Sequence, residues 1–273
     1  MVEESPSNSR DLGPASRAAS HWAHAAPDEL LTWGRPISGD AFIGAVRSCF
    51  SFTPRTVIAE VGPGYGRLFR SILDASLPFG GYVGVDVSPD VCETLARRFP
   101  DPRAQFLNAN AATVRLPAPF DLLLSSLTLK HFYPTFESAL ANLVPQGATG
   151  ARFVFDLIEV APREVAFDAV RPWIRLVSGA THEAPGASPS RADGVMGEGT
   201  MLVDLLRTGS YGQFERNGVT YVRKYTRRAV RGILDRRGLD LVSFDVVQHD
   251  ARHRRLLVVA DRRAEKQTYA SSS

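Results

Sequence analysis

The stretch that decides the fold is Thr56-Val57-Ile58-Ala59-Glu60-Val61-Gly62-Pro63-Gly64-Tyr65-Gly66-Arg67-Leu68. An apolar run of strand length ends on an acidic residue, breaks into alternating glycines and gives way to a helical pattern. Glycine lets a backbone turn sharply and approach a ligand closely, because no Cβ forbids positive φ or blocks the approach. The helix that follows, starting near Gly66, aims its unpaired N–H groups into the same crevice. This order of elements is that of a cofactor loop. Dinucleotide-binding folds use G-x-G-x-x-G, with the third glycine serving helix packing. Here the spacing is Gly62-x-Gly64-x-Gly66 with Glu60 just ahead, which points away from NAD.

A helix length further on, Gly81-Tyr82-Val83-Gly84-Val85-Asp86-Val87-Ser88-Pro89-Asp90 is a second buried-strand pattern ending in a carboxylate. An acidic residue at the tip of the second strand of a βαβ unit can accept two hydrogen bonds from a ribose diol, which makes Asp86 a candidate ribose ligand. Ser88-Pro89 marks a helix start, serine as N-cap and proline at the first helical position, with Val91, Leu95 and Phe99 as the apolar stripe. Gln105 to Ala111 forms a third strand with Asn110 near its tip, and Phe120 to Ser126 a fourth. Leu127 to Phe132 then carries the chain over the crevice.

These segments resemble the class I S-adenosyl-L-methionine (SAM) dependent methyltransferases, whose first motif is a strand ending E/D-x-G-x-G-x-G. The resemblance runs from about Thr56 to Glu159, with weaker echoes to Asp261. It implies a Rossmann-like α/β fold, a seven-stranded, mostly parallel sheet with helices on both faces, preceded by N-terminal helices and carrying an inserted lid. It also implies SAM as cofactor, held by Glu60, Gly62, Gly64, Tyr65, Gly66, Asp86, Val87, Asn110, Ala111 and Ser125. At position 110 the family often has an acidic residue facing the adenine amino group. Asparagine still offers a carbonyl acceptor there, and its amide can donate to a ring nitrogen.

Composition agrees. At 273 residues with 44% hydrophobic content, the chain suits one large domain with an insertion. Net charge is only +3, from 32 basic and 29 acidic residues, and no basic run or aromatic-basic patch favours nucleic acid as a partner. Cys49 and Cys92 show neither disulfide nor zinc spacing, which fits a reducing cytoplasm. Met1 to Ser20 lacks the apolar core of a signal peptide, and the longest apolar run, Phe120 to Leu129, is short of the ~20 residues that cross a bilayer. A cytoplasmic protein with a small-molecule partner is expected, acting without membrane or nucleic acid; association with a second copy is left open.

Residues 1–17 and 264–273 have the composition of disordered ends. Residues 18–52 form helices before the first strand, with Trp22, Ala26, Leu30 and Trp33 at helical spacing; they either close over the site or simply cover the sheet. Residues 56–159 are the cofactor core. From 160 to 218 the pattern dissolves into Pro162, Pro172, Pro185, Pro189 and many glycines, the chemistry of loops. Connections this long are mostly lids or disordered, and a substrate lid is expected. Residues 219–263 then supply an added strand at Tyr221 to Tyr225, a helix begun by Thr226 and ended by Gly238, and two closing strands.

Methyl transfer from SAM needs alignment, exclusion of water and, for a hydroxyl nucleophile, removal of a proton. The catalytic groups belong at the carboxyl ends of the fourth and fifth strands. His131 is the candidate base, since a near-neutral imidazole can take a hydroxyl proton, and it can equally shape the cofactor pocket. Asp156, at the tip of the fifth strand, is the second candidate: it orients His131, binds a metal, acts on substrate or caps the turn. His21 with His24 and His249 with His253 lack the carboxylates that would complete a metal set, so no dedicated metal site is expected. Tyr133, Tyr211 and Trp173 are candidates for the pocket wall or the core. O-methylation of a secondary metabolite or saccharide is the first expectation, then C- and N-methylation. A SAM-binding fold serving as a cyclase or a non-methylating accessory protein is the alternative from another class.

Overall fold

The protein is described here from a computed structural model, in residues 21–23, 38–160, 198–214, 221–248 and 254–264. Helix α1 (Gly39–Cys49) starts where Ser38 Oγ accepts the Ala41 N–H at 3.1 Å, and it buries Phe42, Ile43 and Val46. Strand β1 (Val57–Val61) leads through the glycine loop into α2 (Arg67–Asp74), whose Leu68, Phe69 and Ile72 face the sheet. Strand β2 (Gly81–Asp86) leads through the Ser88 cap and Pro89 into α3 (Pro89–Arg98). Then come β3 (Ala104–Asn108), β4 (Phe120–Ser125), one 3₁₀ turn (Leu129–His131), α4 (Glu137–Leu143) and β5 (Gly147–Glu159). The remaining described elements are α5 (Glu198–Thr208), β6 (Ser210–Phe214), β7 (Tyr221–Tyr225), α6 (Arg227–Arg236), β8 (Leu239–Gln248) and β9 (Arg254–Arg262).

Strands β3-β2-β1-β4-β5 are parallel, and β9 and β8 close the sheet antiparallel beyond β5. Period-two alternation divides each strand between two cores. On one face Ile58, Leu122, Leu124 and Val154 pack with α1, α2 and α3. On the other, Ala59, Val61, Leu123, Phe153 and Phe155 pack with Leu140 of α4 and Val230 of α6. The chain leaves β1 toward β2 and β3, then returns to place β4 on the far side of β1. Such a reversal opens a crevice at the carboxyl ends of the strands, the usual ligand site of an open α/β sheet.

Among the described residues the sheet has nine strands: the seven expected of the fold, the added strand expected at Tyr221 to Tyr225, and one more. The two additional strands form an antiparallel hairpin, β6 with β7, joined to the far end of β5 by the pairs Ile158↔Lys224 and Glu159↔Tyr225. Strand β5 runs to Glu159, so Asp156 is not at its tip. Within the expected lid, α5 and β6 are regular elements where loop chemistry was expected. Their pattern is weak for physical reasons: Val203 and Leu206 of α5 are exposed, and Gly212, which looks like a strand breaker, sits where a Cβ would run into the Tyr221 ring. The rest of the lid, residues 161–197 and 215–218, lies outside the described residues, as do residues 1–17 and 265–273, Trp33, Trp173, His24, His249 and His253.

Candidate active site

The loop after β1 is held by its neighbours. The Gly62 N–H extends the ladder to Val85 O at 2.8 Å, and Thr128 Oγ1 donates to Gly62 O at 3.2 Å. Gly62 has φ +67°, and a Cβ there would overlap the Thr128 side chain, so only glycine lets the β1 and β4 loops meet. Gly66 adopts φ +78° and starts α2; a Cβ on it would strike Phe99 and Leu95 of α3. The helix-packing role of a third glycine thus falls to Gly66. Gly64 differs: it also has positive φ, yet nothing lies within 4 Å of where its Cβ would be, so its open side is the crevice.

Asp86 ends β2 beside this loop. Its Oδ1 accepts the Ser88 N–H at 3.0 Å and its Oδ2 the Gly64 N–H at 3.4 Å. Burial raises its pKa above the ordinary value, and those two backbone donors work in the opposite direction. Glu60, on β1, is 2% exposed and accepts the Tyr82 hydroxyl at 2.5 Å. Burial pushes its carboxyl up to about 7, against the Tyr82 hydrogen bond and the Arg67 charge. The crevice between these tips has a volume of about 390 Å³ and reaches from Asp86, Val87 and Asn110 to Trp22, His131 and Tyr133. Glu60, Gly62, Gly64, Tyr65 and Ala111 also line it. Asn110 Oδ1 already accepts the Ala112 N–H at 2.9 Å, which leaves its second lone pair and its amide nitrogen for a ligand.

Three of the expected site residues stand apart: Gly66, which packs against Phe99 and Leu95, Ser125 and Asp156. Ser125 is fully buried and donates to Val61 O at 3.0 Å, so it ties β4 to β1 and does not line the crevice; Ser126 does. Asp156 is also outside the lining. Its Oδ2 accepts Ser126 Oγ at 3.0 Å, its Oδ1 accepts the Leu127 N–H at 2.7 Å, and Arg255 of β9 lies 3.5 Å from Oδ2. Leu127 has φ +70°, a conformation that costs a side-chain-bearing residue about 1–3 kcal/mol. Asp156 therefore holds a strained loop in place, and it makes no hydrogen bond to His131 among those resolved.

His131 is 9% exposed, and its Nδ1 lies 2.7 Å from the carbonyl oxygen of Tyr221 on β7. A carbonyl can only accept, so Nδ1 carries the hydrogen and the neutral ring has its lone pair on Nε2. Burial, with the Lys130 charge adding to it, holds its pKa well below 6.5, so the ring is neutral at physiological pH. Trp22 packs on it with ring centroids 4.4 Å apart. The segment around His131 is clamped twice more by β7: Tyr221 Oη donates to Pro134 O at 2.9 Å, and Tyr225 Oη accepts the Phe136 N–H at 3.2 Å.

Sequence patterns gave no role to Arg67, which lines the crevice and donates to Ser126 Oγ at 2.8 Å. A local signal existed: a cation in the first turn of a helix opposes the helix dipole, and such a conflict marks a site. Tyr221 had no such signal, because its contact to His131 spans ninety residues. Tyr133 lines the crevice, whereas Tyr211 is buried elsewhere. Among the described residues no group of three or more His, Cys, Asp or Glu could hold a metal ion, and no helix is long and apolar enough to cross a membrane.

The chemistry of this donor set fits SAM: an open glycine cradle, an acidic acceptor at the second strand tip and an amide at the third. Comparison with known proteins agrees. Residues 59–153 match a family model described as a methyltransferase domain. Among solved structures, the fold is similar to that of the 1,6-didemethyltoxoflavin N1-methyltransferase of Burkholderia thailandensis, at 16% identity and TM-score 0.63, over 93% of this chain and 92% of that one. It is also similar to an S-adenosylmethionine dependent methyltransferase of Mesorhizobium loti (18% identity, TM-score 0.54, 82% and 98% covered). A third is the glycopeptide N-methyltransferase MtfA (14%, 0.53, 85% and 96%). No curated protein matches the chain. The domain match over residues 59–153, the fold and the glycine loop are each similar to those of class I SAM-dependent methyltransferases, whose cofactor is SAM.

Proposed function

We propose that this chain methylates a small molecule, with O-methylation as the first reading and His131 as the general base. The observation that carries it is the Tyr221 carbonyl on His131 Nδ1, which fixes the tautomer whose Nε2 can accept a proton. When bound, SAM supplies a methyl group on a sulfonium centre with a neutral thioether as leaving group. Asp86 would accept the ribose hydroxyls, the Gly62–Gly66 backbone would lie against the methionine portion, and Asn110 would meet the adenine. Glu60, half-protonated near neutral pH, shapes the floor through Tyr82. Ser126, held by Asp156, and Thr128 position the loop that carries His131. A wall or lid over the acceptor from residues 160–218 is supported by β6, which pairs along β7, the strand that grips residues 131–136 at three points.

N-methylation is the second reading, favoured by the names of two of the similar structures, a toxoflavin N1-methyltransferase and a glycopeptide N-methyltransferase. A neutral Nε2 would serve a ring N–H as well as a hydroxyl. The test is incubation with SAM carrying a carbon-13 methyl and a library of small hydroxylated and nitrogenous compounds, with products resolved by mass spectrometry and NMR. A methyl carbon on oxygen supports the first reading, one on nitrogen the second. Labelled product on neither atom, or none at all, goes against both.

A further inference from the structure

The two halves of the crevice differ in what they offer a ligand. Among the described lining residues the carboxylates are Glu60 and Asp86, both on the β1 and β2 tips. The other half, around His131, presents Trp22, Phe132 and Tyr133. Tyr133 is 37% exposed, and of the described large apolar side chains at or above that exposure it alone lines the crevice. Its ring is braced edge-on against Tyr221, centroids 5.2 Å apart at 68°, which leaves a supported aromatic surface facing the site. Three of the nearby hydroxyls already have partners: Ser126 with Arg67 and Asp156, Thr128 with Gly62 O, Ser138 with Thr135 O.

Among the described residues an ammonium acceptor would find no counter-charge in this half, and a protonated amine has no lone pair for attack until some group removes its proton. A sugar would need several polar partners to replace its water, and among the described residues Ser126, Thr128 and Ser138 have each already committed their hydroxyl hydrogen. A flat ring would find aromatic surface and, at His131 Nε2, one acceptor for a weakly acidic hydrogen. Resting on the methyltransferase reading above, we infer that the acceptor is an uncharged planar aromatic or heteroaromatic molecule carrying an O–H or ring N–H, seated against Tyr133 and Trp22. This narrows the small-molecule class away from saccharides and aliphatic amines.

Calorimetry on the full chain tests it. S-adenosylhomocysteine is titrated first; 2-naphthol, methyl glucopyranoside and benzylamine are then titrated at saturating S-adenosylhomocysteine. Naphthol is expected to bind about ten-fold or more tighter than either of the others. Tyr133→Ala should weaken naphthol about two- to ten-fold, the range of an aromatic pair, while Tyr133→Phe keeps it and neither variant shifts S-adenosylhomocysteine. Sugar or amine binding as tight as naphthol, or naphthol binding indifferent to Tyr133→Ala, would overturn the inference. Should S-adenosylhomocysteine bind and naphthol not, the aromatic seat alone fails; should S-adenosylhomocysteine not bind, the methyltransferase reading fails and the seat with it.

Discussion

The cofactor half of the crevice and the acceptor half are assembled in different ways. The first is made by consecutive strand tips: Gly62 to Gly66 after β1, Asp86 after β2 and Asn110 just past β3, all within one stretch of about fifty residues. The second is made by convergence. His131 takes its tautomer from Tyr221, ninety residues later, and its ring neighbour Trp22 comes from ahead of the first strand. A site set by backbone geometry repeats its spacing wherever it occurs, whereas one set by remote partners leaves little trace in either segment.

The largest effect that would sharpen this contrast is on His131. His131→Ala is expected to lower the single-turnover rate about 10²–10⁴-fold, the usual contribution of a general base, with S-adenosylhomocysteine affinity unchanged. Because burial keeps the imidazole pKa well below 6.5, the wild-type rate should show no His131 limb between neutral pH and 6.5, and for a hydroxyl acceptor the variant should recover in part as pH rises. Parallel loss of rate and cofactor binding would move His131 into the cofactor half.

Asp156 comes next. Removing one partner of a buried ion pair costs about 3–5 kcal/mol, so Asp156→Ala should lower the unfolding free energy by that order, since Arg255 and the Leu127 N–H lose their acceptor. An Asp156→Ala enzyme as stable as wild type yet without turnover would make the residue catalytic. In the cofactor half, Asp86→Ala should weaken SAM about ten- to a hundred-fold, from hydrogen bonds to a charged acceptor worth about 1.5–3 kcal/mol each before water compensates. Unchanged affinity in the folded variant would remove the ribose assignment.

The smallest effect is on pH and belongs to Glu60. Its folded pKa of about 7 lies above the ordinary 4.5, so its protonated form favours the fold. That contribution is complete below pH 4.5 and is lost as pH rises through 7. His131 has the opposite sign: its folded pKa is depressed, so its part is present above 6.5 and is lost as pH falls. Glu60→Gln removes the first and keeps the second. Its Tm relative to wild type should therefore be most favourable at pH 8 and least at pH 5, measured by thermal unfolding across that interval. A difference in Tm independent of pH would mean that Glu60 titrates normally.

How much of this was legible follows the same division. The parallel core, the crevice and Asp86 could be derived from Val57 to Ser126, because the glycine loop, the strand tips that follow it in order and the strand periodicity agree with one another. Ser125 was misplaced by one residue, since the period of a strand decides whether a serine faces a neighbour's carbonyl or the crevice, and the strand end could not be fixed to that accuracy. Asp156 was taken for a tip residue because the hairpin that extends β5 to Glu159 lies behind a Pro/Gly-rich stretch. Strand β7 was read correctly at Tyr221 to Tyr225, whereas its hairpin partner β6 was hidden by Gly212, whose missing side chain answers to the Tyr221 ring and not to a turn.

The central claim is that the glycine loop and Asp86 form a SAM site and not a dinucleotide site. Calorimetric titration of the wild-type chain with SAM and, separately, with NAD tests it most directly. One SAM site per chain, competed by S-adenosylhomocysteine and absent for NAD, is the result expected. Binding of NAD with no heat from SAM would contradict the account.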